Sequence, residues 1–99
     1  MKVYFTPQAQ AQVRHRRAWW KKNRDQKGLF TEMIRAGTAI LTEAPKLQVH
    51  GMRDGHEVRR LALNKVHCFV YYVILEEQKR VEVVSVWGQE MAQPDFVDD

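Results

Sequence analysis

Six side chains between Lys46 and Arg60 carry most of the chemistry this chain offers: Lys46, His50, Arg53, His56, Arg59 and Arg60. Guanidinium and ammonium groups are the preferred donors to phosphate oxygens. An imidazole titrates near neutral pH, so His50 or His56 suits a general base or a general acid. Together these are the parts of a metal-free phosphodiester cleavage: a base, an acid, and cations for the charged transition state. In that scheme Arg60 stabilises the reacting phosphate, while Lys46, Arg53, Arg59 and Arg60 bind the target. The alternative is a polar loop whose histidines hydrogen-bond locally.

Other chemistries find no footing. There is no Gly-rich phosphate loop and no dinucleotide fingerprint. His15, His50, His56 and His67 lack metal-ligand spacing, and one cysteine makes no structural zinc site, so neither metal nor cofactor is expected. Ser85 is the only serine, lies in a strand-like run and has no elbow around it, which argues against a hydrolase triad. Cys68 sits in an apolar stretch and reads as a small buried hydrophobe in a reducing cytoplasm.

The elements that must position these groups follow from periodicity. KVYF (Lys2–Phe5) reads as a strand. Thr6-Pro7 is a helix start, with Thr6 as N-cap and Pro7 at the first helical position. Gln8 to Asn23 holds no Gly or Pro and continues that helix, with Trp20 on its apolar stripe and Trp19 beside it, at a groove or a partner surface. Phe30, Met33, Ile34, Gly37, Leu41 and Ala44 step by three and four, a second helix ended by Pro45. Gly37 on that stripe suggests close approach of the first helix. KLQVHGMRDGH (Lys46–His56) reads as a loop or a frayed edge. Glu57–Leu63, Val66–Leu75 and Arg80–Trp87 are three strands, joined by a tight turn at Asn64-Lys65 and a looser one at Glu76–Lys79. Trp87 ends the last of them and can cap the core.

The order β-α-α-β-β-β makes an α+β domain over residues 1–99, a helical hairpin on one face of a mostly antiparallel four-stranded sheet. Neighbours on a strand point to opposite faces. Arg60 therefore belongs to the open face, between the small Val58 and Ala62. Arg59 belongs to the core side, near a helix end whose carbonyls it can satisfy.

Charge is uneven. All 16 Lys and Arg lie in residues 1–88 with only 8 acids, while residues 89–99 hold four acids and no base. A basic body suits a polyanionic target or an acidic partner segment, or simply a well-solvated surface. The acidic tail is a candidate to fold back over the open face. No apolar run is long enough to span a bilayer, and the N-terminus lacks a secretory h-region, so no membrane partner is expected.

Three segments, GLFTEMIRAGTAILTEAP, EVRRLALNKVHCFVYYVI and VEVVSVWG, resemble the RelE/ParE superfamily of bacterial type II toxin–antitoxin toxins, the plasmid stabilisation proteins. The resemblance runs from about Val3 to Pro94 in element order and spacing. It implies a cytoplasmic toxin neutralised by a cognate antitoxin, in a heterotetramer or larger complex. The ParE-like form inhibits DNA gyrase by binding. The RelE-like form is a metal-independent endoribonuclease on ribosome-bound mRNA, with His50, His56 and Arg60 as its catalytic set here. A degenerate member would only bind the antitoxin. Gln89 to Asp99 contains no Tyr, His or Arg, the groups that RelE-like catalysis uses near the C-terminus, with Glu90 and Phe96 the nearest substitutes. That favours the ParE-like form.

Overall fold

Thr6 accepts the Ala9 backbone N–H at 3.1 Å and Pro7 opens the helix behind it, so the chain turns from strand to helix where the cap chemistry dictates. In a computed structural model that describes residues 1–26 and 28–90, the order is β1 (Lys2–Phe5), α1 (Pro7–Asn23), α2 (Leu29–Glu43), β2 (Val49–Arg53), β3 (His56–Leu63), β4 (Cys68–Leu75) and β5 (Arg80–Gly88). The acidic tail from residue 91 onward lies outside the described residues, and with it the idea that it folds back over the sheet.

Two helices and one mixed sheet of five strands, ordered β1-β5-β4-β3-β2, make an α+β fold among the described residues. The helical hairpin carries the chain from one edge strand, β1, to the other, β2. A meander then returns through β3 and β4 to β5, which pairs with β1 in parallel; the other pairs are antiparallel. No described helix is long and apolar enough to cross a membrane.

Both helices cover the same face. α2 buries Phe30, Gly37 and Leu41, and α1 buries only Ala9 and Trp20. They meet the inward side chains of the sheet, among them Leu63, Cys68, Val70, Tyr72, Val81, Val83 and Val86. Each large side chain buried this way contributes about 1.5–3 kcal/mol. Gln12 of α1 pins the join. Its Oε1 accepts the Val86 N–H at 2.7 Å and the Ser85 hydroxyl at 3.2 Å, beside the register shift opposite Tyr71 and Tyr72.

Four expectations need correction. The sheet has five strands, not four, because Val49–Arg53 is a strand rather than a loop. Asp54 (φ 51°) and Gly55 (φ 78°) form the two-residue hairpin turn that pairs it with β3. The Asn64 and Glu76 turns are alike, each one turn of 3-10 helix ended by a left-handed residue, His67 (φ 54°) and Lys79 (φ 51°). Gly37 makes room for the sheet, not for α1. A Cβ there would lie 3.1 Å from Leu63 Cδ2 and 3.3 Å from Leu61 Cδ2. Finally, the face turned away from the helices is not bare. Val58, Tyr71, Val73 and Val84 are buried on it, with Phe69, Leu75 and Trp87 packed against them, so Trp87 caps this second cluster rather than the main core.

Candidate functional site

The strand period divides the adjacent arginines as expected. Arg59 pairs in register with Tyr72 and faces the helices; Arg60 pairs with Tyr71 and faces away. The Arg59 guanidinium donates to the Leu47 carbonyl and to Glu57 at 3.0 Å, with only 19% of its side chain exposed. It ties the loop after α2 to the sheet, so its carbonyl partner comes from that loop and not from the helix end. Tyr72 fixes the same loop, donating its hydroxyl to Pro45 O at 2.6 Å. Lys46 extends from this loop to Glu76, 3.8 Å away, both groups well exposed. Lys46 and Arg59 therefore stand apart from the other cations.

On the opposite face, the Arg60 guanidinium lies over the Phe69 ring, 4.3 Å from its centroid, a cation–π arrangement that holds it against the second cluster. His50 sits at the register shift in β2, where the extra residue turns its ring against Tyr71, centroids 5.0 Å apart. Burial lowers the pKa of His50, and the positive charge of Arg60 lowers it further. The imidazole is thus neutral at pH 7 and able to accept a proton. Burial raises the pKa of Tyr71, with Arg60 opposing the shift, so its hydroxyl remains a donor at neutral pH.

Arg53 and His56 face each other across the β2–β3 turn. They border a groove of about 330 Å³ on the same side of the sheet, with Thr6, Gln8, Asp54 and Glu82 as its other polar walls and Val73, Leu75 and Val84 as its apolar part. Arg53 lies 3.9 Å from Asp54, an exposed and weak pairing. The face therefore carries a closed patch of His50, Arg60, Phe69 and Tyr71, and an open groove rimmed by Arg53 and His56.

Three participants were not singled out in the sequence. Phe69 and Tyr71 read simply as strand residues, although their alternation with Val70 and Tyr72 already places them opposite the core. Arg80 opens β5, pairs with Glu82 at 3.0 Å and lies 5.2 Å from the Tyr4 ring, extending the basic and aromatic character to the β1 edge. The Asp-Gly pair at Asp54 was the available signal for the β2–β3 hairpin that brings Arg53 and His56 together.

A neutral imidazole beside a guanidinium can take a proton from a hydroxyl while the cation holds an anionic oxygen. Among the described residues no group of three His, Cys, Asp or Glu side chains is placed to hold a metal ion. No protein-family model matches the chain, and no curated protein matches it either.

Proposed function

We propose that this chain is the toxin of a type II toxin–antitoxin system of the RelE/ParE kind, neutralised by a cognate antitoxin. The element order supports the reading, since it agrees with the expected β-α-α-β-β-β plan with one edge strand added. The observation that carries it is the placement of Arg60 and His50 together on the sheet face that no described helix covers.

Of the two targets, ribosome-bound mRNA is the one the geometry supports best. His50 takes the proton of a ribose 2′-hydroxyl, and the 2′-oxygen bonds to the adjacent phosphorus. The P–O5′ bond breaks, and the leaving oxygen gains a proton from His56 or water. Arg60 neutralises the phosphate oxygens as their charge grows. Arg53 and the groove beside it hold the flanking nucleotide.

Gyrase binding is the second reading. α1 favours it: it buries only two side chains and leaves Arg14, His15, Arg17, Trp19 and Lys21 exposed along a long face suited to a protein target. One experiment separates the two. The chain is induced without its partner, and growth, mRNA 5′ ends on ribosomes and gyrase supercoiling are measured for wild type and the H50Q/R60M double variant. Codon-spaced cleavage that disappears in the double variant, with supercoiling intact, is the expected result. Inhibited supercoiling with intact mRNA selects the gyrase reading, and unimpaired growth under full expression refutes toxin function.

A further inference from the structure

Tyr71 stands at the centre of the face that carries Arg60 and His50. It is fully buried on β4, clustered with Val58, Val73 and Val84, and pairs in register with Arg60. The Arg60 guanidinium donates a hydrogen bond to its hydroxyl. The His50 ring lies against the same phenol, centroids 5.0 Å apart, and Phe69 meets it edge to face at 6.1 Å. Base and cation are thus both referred to one rigid aromatic.

Burying a hydroxyl in an apolar cluster is costly unless it is hydrogen-bonded, and phenylalanine would fill the same space without that cost. The packing of the cluster therefore does not call for the hydroxyl. With no exposed surface, Tyr71 cannot touch a substrate, so it acts through its neighbours. The cation–π contact draws Arg60 over Phe69 but leaves the guanidinium free to turn and slide above the ring. A hydrogen bond is directional and removes that freedom. A cation already fixed where charge develops costs no reorganisation at the moment of reaction.

We propose that Tyr71 is a positioning residue: its hydroxyl sets the Arg60 guanidinium against the His50 imidazole, so that one phosphodiester meets base and cation together. The chemistry rests on the ribonuclease reading above, whereas the placement rests on the fold alone. Three consecutive strands contribute one group each: His50 from the bulge in β2, Arg60 from β3 and Tyr71 from β4. A slip of one residue in β3 or β4 would turn its group to the helix side.

Tyr71→Phe in the whole chain removes the hydroxyl and keeps the ring. NMR titration of His50 reads the placement without any substrate. Arg60 helps to hold the His50 pKa down. A guanidinium released from Tyr71 spends less time beside the imidazole, so Tyr71→Phe should raise that pKa, by less than Arg60→Met does. In an Arg60→Met background Tyr71→Phe should add nothing, because it acts through Arg60. Phe69→Leu, which leaves the hydroxyl in place, should move the titration less than Tyr71→Phe. In cleavage of ribosome-bound mRNA, Tyr71→Phe should lower kcat about five- to twentyfold with KM held within about twofold. A purely structural hydroxyl predicts a lower urea midpoint with the His50 titration unchanged, and that result overturns the proposal. An equal shift in the Arg60→Met background, an equal or larger one for Phe69→Leu, or unchanged kcat in an active enzyme overturns it as well. If the wild type cleaves no ribosome-bound mRNA, the ribonuclease reading falls, and the titrations still decide whether Tyr71 places Arg60.

Discussion

Replacing Arg59 and Arg60 one at a time by methionine should give opposite profiles, although the residues are neighbours. Methionine keeps most of the apolar stem and removes the charge. At position 59 the change leaves the Leu47 carbonyl without its guanidinium partner, in a loop that is part-buried. A hydrogen bond to a charged group contributes about 1.5–3 kcal/mol. The Glu57 pair adds little, because that carboxylate is 56% exposed and screened by solvent. The sum is about 2–3 kcal/mol, and with a urea dependence of about 2 kcal/mol per molar the midpoint falls by about 1–1.5 M. At position 60 the losses are the contact over Phe69, about 0.5–1 kcal/mol, and the hydrogen bond with Tyr71, about 0.5–1.5 kcal/mol, or about 0.5–1.2 M in midpoint. Growth arrest should follow the reverse order: abolished by Arg60→Met and retained, at permissive temperature, by Arg59→Met. Urea denaturation followed by circular dichroism reads the first quantity, and induction without the partner reads the second. If Arg60→Met proves the more destabilising, or if Arg59→Met loses toxicity while still folded, the division of labour drawn from the strand period is wrong.

Arg60→Met should also raise the pKa of His50 by removing the neighbouring positive charge, but not restore it fully, because burial is the larger cause and remains; NMR titration of the imidazole measures this. Since the folded pKa of His50 lies below the unfolded value, the unfolded chain takes up the proton first as pH falls. The stability this histidine contributes is therefore complete above about pH 6.5 and declines below it, a slope that His50→Gln should remove from a pH series of denaturation curves. Tyr72→Phe deletes the hydroxyl that donates to Pro45 O and accepts the Leu47 N–H, and should cost about 1–2 kcal/mol by chemical denaturation. Burial raises the Tyr72 pKa, so the unfolded state ionises first and stability falls as pH rises above about 10; the Phe variant should lose part of that alkaline slope. Gln12→Leu leaves the Val86 N–H and the Ser85 hydroxyl unpaired at the join of α1 and β5, and should cost about 1–3 kcal/mol with no change in helix content at low temperature.

Local chemistry made several features legible before any coordinates. Thr6-Pro7 fixed the start of α1, Pro45 the end of α2, and the two-residue period of EVRRLAL the opposite faces of Arg59 and Arg60. Each depends on neighbours a few residues apart, which is the range over which capping, proline sterics and strand alternation act. β2 read as no more than a loop or a loop with a frayed strand edge because VHGMR has neither alternation nor an apolar run; it is a strand only because β3 offers it a partner, and the Asp54-Gly55 turn that signals the pairing was passed over. Likewise the six candidate side chains looked like one cluster along the chain, and pairing sorted them. Lys46 and Arg59 went to the helix-side loop, His50 and Arg60 to a patch with Phe69 and Tyr71, Arg53 and His56 to a groove.

The amino-acid order alone thus determined both helices and four of the five strands, the core stripe of α2 and which arginine leaves the core, because those are set by short-range sterics and by side-chain periodicity. Only the tertiary structure decided the fifth strand, the second apolar cluster and the company each cation keeps. Strand pairing joins residues far apart in the chain, and no local preference specifies which of them will meet.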